Sequence, residues 1–243
     1  MTPPVTQLDA IVPAAIAMPE RRPASPEAGG GRVWAFVKRA LDVGFSAFLV
    51  LLLAPLLLVV ALAIKLDSRG PVLFRQRRLG RDLQTFTMLK FRTMDPGVSS
   101  AAHRAYIAEL ARNGSGNGNG NGNGNGNGLK KLTADPRVTR VGKILRKLSV
   151  DELPQLFNVI GGSMSLIGPR PALDYELEHY GPRHFQRFIV RPGLSGLWQV
   201  SGRNQLGFNE MLDLDADYAA KCGPITDARI FVRTPVAMVR DAA

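Results

Sequence analysis

Cysteine is almost missing from this chain of 243 residues, where Cys222 stands alone. One thiol excludes an intramolecular disulfide framework and any zinc site built on several thiolates. Histidine is scarce too. His103, His179 and His184 share no metal-ligand spacing and read as surface or hydrogen-bonded residues. Acidic residues are few beside basic ones, 20 against 31, for a net charge of +11. Strands alternating with helices in βαβ units are lacking as well, which argues against a doubly wound parallel sheet. A hydrophobic content of 45% excludes global disorder.

The positive excess is local. Residues 68–112 carry 9 basic and 3 acidic groups, and residues 129–203 carry 12 and 6. Residues 204–243 reverse the sign, with 4 and 6. A basic face of this kind suits phosphate ligands, nucleic acid or anionic lipid. Residues 1–31, rich in Pro, Ala and Gly, read as a disordered tail. Residues 113–128 include six consecutive Asn-Gly repeats, Asn117-Gly118 to Asn127-Gly128, which cannot bury apolar surface and form a flexible insertion.

Val43 to Ile64 is a run of 22 residues without a charge. As a helix it extends about 33 Å, enough to cross a hydrocarbon core. A buried core helix would not be apolar on all sides for so long. A cleaved signal peptide starts nearer the N-terminus and has a shorter apolar region. Both flanks are basic: Lys38 and Arg39 before, then Lys65, Arg69, Arg75, Arg77 and Arg78 after. The positive-inside rule places both ends in the cytoplasm. Pro55, mid-run, removes a helix hydrogen bond and can bend the helix. A re-entrant hairpin satisfies both facts. A kinked single span, oriented by the stronger C-terminal flank, remains the alternative. Residues 32–67 are therefore expected in the membrane and 68–243 as the soluble domain. The fold class is α+β: a membrane helix followed by a compact, mostly helical cytosolic domain with a small β-hairpin.

That hairpin is expected from Val72–Arg78 and Phe86–Met94 around a turn at Gly80-Arg81-Asp82, with Lys90 and Arg92 on one face. Further on, Val141, Ile144, Leu145 and Leu148 follow helical spacing, and so do Leu153, Leu156, Phe157 and Ile160. Between them Ser149-Val150-Asp151-Glu152 reads as a capping box, although Pro154 could move the cap to Asp151. Either way Asp151 and Glu152 lie at a helix start, where the dipole, Arg146 and Lys147 favour carboxylates. Acidic residues there are ordinarily only caps. Three arginine-bearing rigid loops make these two different: Gly168-Pro169-Arg170-Pro171, Arg191-Pro192-Gly193 and Gly202-Arg203-Asn204. Guanidinium forks suit bidentate phosphate binding, so these loops with Lys90 and Arg92 suggest a diphosphate ligand. Asp151 is then a candidate nucleophile on phosphorus, and Glu152 a candidate ligand for Mg²⁺. Trp198 reads as core, and Asp213, Asp215 and Asp217 as a solvated acidic face.

Taken in order, Phe74-Arg75-Gln76, Lys90 to Met94, Asp135 to Gly142, Asp151 to Leu156, Gly168 to Pro171 and Arg191 to Asn204 resemble the bacterial sugar transferases, the monotopic phosphoglycosyl transferases. The likeness covers about residues 36–234. It implies a Mg²⁺-dependent enzyme that moves a sugar 1-phosphate from a nucleoside-diphosphate sugar, expected to be a UDP-linked hexose, to a polyprenol (undecaprenyl) phosphate. Such an enzyme starts exopolysaccharide or other glycan assembly. The resemblance further implies a re-entrant helix in the inner membrane, a cytoplasmic catalytic domain, and a phospho-aspartyl intermediate on Asp151. Asp151 and Glu152 would hold the metal. Lys90, Arg92, Arg146, Arg170, Arg191, Gln199, Arg203 and Asn204 would bind substrate. Membrane lipid is an expected partner, nucleic acid is not, and homo-oligomerisation stays open. The chain departs from the family pattern in three places: Ser163 replaces a usual Asp, Leu83 a usual Gly, and Lys221-Cys222-Gly223 a usual Asn-Trp-Ser. The competing reading is a membrane-tethered basic module for nucleic acid or anionic lipid. It accounts for the charge but not for the paired carboxylates.

Overall fold

The computed structural model describes residues 31–94, 108, 137–202 and 206–242. Residues 1–30 of the expected tail 1–31 and the insertion at 113–128 lie outside these residues, whereas Gly31 already opens a helix. Helix α1 (Gly31–Asp67) contains the whole uncharged run, with Pro55 inside it. Its middle is bare: Leu51, Leu52, Leu58, Val59 and Leu62 are all exposed. It is long and apolar enough to cross a membrane.

Strands β1 (Leu73–Leu79) and β2 (Thr85–Phe91) pair antiparallel from Leu73↔Phe91 to Leu79↔Thr85. This is the expected hairpin. Its turn is a short 3-10 segment, Arg81–Leu83, in which Asp82 and Leu83 both have left-handed backbones. Helix α2 (Arg140–Lys147) follows, then a 3-10 turn at Val150–Glu152, then α3 (Gln155–Ile160). Thr139 caps α2 by accepting from Gly142 N at 3.0 Å.

Strands β3 (Ser165–Ile167) and β4 (Gly193–Ser195) form a second, parallel pair that the sequence pattern did not announce. Three-residue strands are too short to show a period. The crossover between them consists of two 3-10 segments, Asp174–His179 and Pro182–Ile189. Glycine makes this pair feasible. A Cβ on Gly193 would sit 2.1 Å from Gly168 N, and one on Gly168 would sit 2.3 Å from Arg191 O. The loops 168–171 and 191–193 therefore touch backbone to backbone.

Short α4 (Leu197–Ser201), then α5 (Phe208–Lys221) and α6 (Pro224–Ala242), complete the fold. The largest core unites Leu79, Phe185, Phe188, Trp198, Phe208 and Met211, so Trp198 is core as expected. Asp213 and Asp217 are partly exposed and pair with Arg183, in line with an acidic face. Asp215 departs from it: its side chain is fully buried and meets Arg187 at 2.6 Å. The i+2 alternation seen in the sequence crosses a helix, where it points the middle residue inward.

Both ends of α1 dock on this one domain. On the N-terminal leg, Lys38 Nζ donates to Ile167 O at 3.1 Å and pairs with Asp227 at 2.6 Å. Arg39 donates to the carbonyls of Val159 and Ile160 at the end of α3, at 2.6 and 2.8 Å. Asp42 accepts from Ser165 Oγ at 2.7 Å and Leu166 N at 3.1 Å. On the C-terminal leg, Val60 and Ile64 pack with Phe91 and Leu145. Asp67 accepts from Val141 N at 3.0 Å.

Candidate active site

The two carboxylates lie in the tight link between α2 and α3. Glu152 N donates to Ser149 O at 3.3 Å, and Leu153 N to Val150 O at 3.2 Å, closing one 3-10 turn. Leu156 N to Leu153 O and Phe157 N to Pro154 O carry the turn into α3. The expected capping box is absent. Ser149 has a left-handed backbone and no capping bond from its side chain, and Pro154 takes the position before α3. Ser149 thus ends α2 rather than starting the next helix, because the chain has to reverse within a few residues. Asp151 is buried, whereas Glu152 is half-exposed and accepts from Lys90 Nζ at 3.0 Å. Lys90 stands opposite Phe74 in the hairpin, so β2 delivers its ammonium to the dyad.

Asn158 locks the carboxylate turn to the hairpin. Its Oδ1 accepts from Leu89 N at 2.9 Å, and its Nδ2 donates to Thr87 O at 2.7 Å. The side-chain amide thereby completes the ladder on the free edge of β2. Sequence reasoning missed Asn158. The signal was a polar residue inside the apolar stripe of α3. That stripe is also shifted from expectation: Leu156 and Val159 are buried, whereas Phe157 is 48% exposed. A six-residue helix after a proline turn does not hold the phase of the preceding helix.

Arg146 Nε donates to Thr93 Oγ1 at 2.9 Å, at the end of the hairpin. Arg92 behaves differently from Lys90, with which it was expected to share a face. Strand β2 ends at Phe91, and the Arg92 guanidinium is buried against α1. There it donates to Arg69 O at 2.5 Å, Ser68 O at 2.8 Å and Ile64 O at 3.4 Å. Its fork satisfies the open carbonyls at the helix C-terminus instead of facing the dyad.

Arg170 pairs with the buried Glu176 at 3.0 Å. Arg78, not singled out as a site residue by the sequence, joins this cluster by donating to Pro171 O at 3.0 Å. Burial, and then the neighbouring Arg170 charge, lower Arg78 to about 10, while Glu176 and Glu152 act the other way. Arg78 thus ties the hairpin to loop 168–171. Arg187 supports the loop from beneath, donating to Arg170 O at 2.6 Å. Arg191 Nε donates to Gly162 O at 3.0 Å, next to the parallel strand pair. Gln199 lies beside Gly196, its Oε1 buried without a hydrogen-bond partner among the described residues. Arg203 and Asn204 lie outside the described residues.

A family model described as bacterial sugar transferase matches residues 33–241. The chain belongs to that family. Among its relatives, the exopolysaccharide production protein ExoY of Sinorhizobium fredii is 38% identical over 197 residues, covering 81% of this chain and 83% of that protein. The UDP-glucose:undecaprenyl-phosphate glucose-1-phosphate transferase of Caulobacter vibrioides is 41% identical over 212 residues, with 81% and 67% covered. The undecaprenyl-phosphate galactose phosphotransferase of Salmonella typhimurium is 35% identical over 209 residues, which are 86% of this chain and 42% of that one. The chain also spans 42% of an uncharacterized sugar transferase of Haemophilus influenzae. In this family member, Ser163 donates to Asn158 O at 3.2 Å, and Leu83 holds a left-handed backbone at φ 59°. These two residues sit in turns that flank the hairpin and α3, whereas the third stretch noted in the sequence, Lys221-Cys222-Gly223, ends α5 with Cys222 buried.

Proposed function

We propose that the chain is a membrane-bound sugar-phosphate transferase. It moves a sugar 1-phosphate from a nucleoside-diphosphate sugar, UDP-linked, to undecaprenyl phosphate or a similar polyprenol phosphate, and so initiates exopolysaccharide assembly. The observation that carries this reading is the Asp151-Glu152 turn, tied by Lys90 to a hairpin that packs on the apolar helix. The activities for which the relatives are named agree with it.

An oxygen of the Asp151 carboxylate attacks the sugar-bearing phosphorus. The bond from that phosphorus to the bridging oxygen breaks, and nucleoside monophosphate leaves. An oxygen of the polyprenol phosphate then attacks the same phosphorus, and the Asp151 carboxylate departs. Lys90 and Arg146 hold negative phosphate oxygens while charge moves through the transition state. Among the described residues no group of three His, Cys, Asp or Glu side chains gathers as a metal cage. Two adjacent carboxylates nonetheless suit Mg²⁺, which takes one or two carboxylates and fills its shell with water and substrate phosphate. Asp151 and Glu152 would hold it, and when bound it neutralises diphosphate charge.

Helix α1 is read as re-entrant. A straight span would carry its two ends to opposite faces of the bilayer, yet Lys38–Asp42 and Val60–Asp67 both contact one domain. With both basic flanks cytoplasmic, the catalytic domain faces the cytoplasm.

Replacing Asp151 with Asn is expected to reduce nucleoside monophosphate release to background. Wild-type protein given donor alone should gain one sugar-phosphate mass on the peptide containing Asp151. Full turnover by the Asn variant, or a donor-only digest with no added mass, overturns the covalent scheme.

A further inference from the structure

Helix α6 carries two faces of different chemistry. The inward one is Asp227, Ile230 and Thr234, spaced three and four apart. Asp227 accepts from Tyr218 Oη at 2.7 Å, Ile230 is 1% exposed, and Thr234 meets Ser195 Oγ at 2.7 Å. This face fixes α6 to the domain. The opposite face is Ile225, Arg229, Val232 and Val236, again at helical spacing, with Arg233 one turn from Arg229. Ile225 is 76% exposed, Val232 71% and Val236 61%. Arg229 and Arg233 are exposed as well. A surface helix facing water presents polar residues outward. Here the outward stripe is large aliphatic side chains with arginines along one edge.

The position of α6 says what covers that stripe. Phe231, on the flank between the two faces, meets Phe45 of α1 edge-on at 5.3 Å. Phe45 is the third residue of the uncharged run that begins at Val43. Two turns earlier, Lys38 of α1 pairs with Asp227 of α6. The two helices therefore touch on both sides of the point where the charged part of α1 gives way to its apolar part. That level is the boundary between water and hydrocarbon if α1 enters the bilayer. At such a boundary apolar side chains sink among acyl chains, while arginine stems extend back to phosphate.

We infer that α6 is a second membrane-contacting element: Ile225, Val232 and Val236 insert into the interfacial layer, and Arg229 and Arg233 bind phospholipid phosphates. This rests on the membrane placement of α1 proposed above. An apolar helix face with arginines at its rim, continuous through Phe231 with the anchor, matches a phospholipid surface, whose phosphates lie directly above its acyl chains.

The test uses the full chain in phospholipid nanodiscs. Cys222 is buried, so a cysteine placed at one exposed position and carrying a fluorophore reports mainly that position. Val232→Cys is compared with Leu52→Cys on α1 and with Arg183→Cys on the exposed rim of the acidic face. Nitroxides attached to lipid chains should quench positions 232 and 52 at least twofold more strongly than 183. Aqueous iodide should show the reverse order. Iodide access at 232 equal to that at 183, with 52 still shielded, overturns the α6 inference and leaves the anchor intact. Equal access at all three positions overturns the membrane placement itself. A second probe at Val236→Cys should repeat the result for 232, and an aqueous signal there also overturns the inference.

Discussion

Ser149 sits at φ 56° and ψ 19° between two helical stretches. That backbone is the left-handed one, which costs an L-residue about 1 kcal/mol and glycine nothing. The same serine acting as an N-cap would behave otherwise: glycine there costs a few tenths of a kcal/mol, and alanine about 1. The two roles give opposite signs. Ser149→Gly is expected to leave stability unchanged or raise it by about 0.5 kcal/mol, and Ser149→Val to lower it by about 1–2 kcal/mol. Thermal unfolding of both variants and wild type in detergent decides the matter, and a Gly variant less stable than wild type contradicts the left-handed assignment. Lys90 differs from Ser149 in kind, because its value lies in charge rather than backbone. Its ammonium, one-quarter exposed, still faces solvent beside Glu152. The pair is therefore a weak source of stability and a good means of orienting the dyad.

At the scale of elements, the dyad is placed by one junction, the edge of β2 against α3. Asn158 makes that junction with two bonds to strand backbone, to Leu89 N and Thr87 O, from a side chain that is 8% exposed. Asn158→Leu removes both bonds at once and leaves a donor and an acceptor stranded on the strand. An unsatisfied buried group costs about 1–3 kcal/mol, so a loss of roughly 2 kcal/mol or more is expected. Activity should fall with it, because α3 carries the turn on which Glu152 meets Lys90. An Asn158→Leu variant as stable as wild type in thermal unfolding would show that the amide is dispensable. The sequence disclosed the two partners of this junction but not the bond between them. The hairpin was legible because its register follows from a short turn and local alternation. Helix α1 was legible because a missing charge needs no partner to be noticed. Asn158, Arg92 and the β3–β4 pair depend on residues distant in sequence, such as Ser165 with Gly193, and no local period encodes them. The same holds for Ile144 and Leu148. Their helical spacing was read correctly, but they are 60% and 53% exposed, and it is Leu145 of that stripe that is buried in a core.

For the whole molecule, the net charge of +11 does not translate into an equally basic surface. Arg78, Arg92 and Arg187 are 8%, 4% and 2% exposed and make internal bonds. This weakens the reading of the chain as a generic polyanion binder, since part of its excess positive charge holds the fold together. The clearest case is Arg187 with Asp215, both fully enclosed, beside Tyr180 and under the loop that bears Arg170. Burial pushes the Asp215 carboxyl up to about 6, and the Arg187 guanidinium only partly opposes this. Asp215 accepts from Arg187 and from Arg170 N, so Asp215→Asn, which brings an N–H donor into this group, is expected to cost about 1–3 kcal/mol near neutral pH. The pH dependence has a definite sign. A carboxyl with a raised value binds its proton more tightly in the folded chain than in the unfolded one. Its contribution is then fullest at or below the unfolded value and declines as pH rises towards about 6. The Asn variant lacks this titration. The stability gap between wild type and variant should therefore be wider near pH 4 than near pH 7, by up to about 1.4 kcal/mol for each unit of the shift. Thermal unfolding of both chains at the two pH values measures it. A gap that widens on going to neutral pH would mean that the ion pair outweighs burial and holds the carboxylate below its ordinary range.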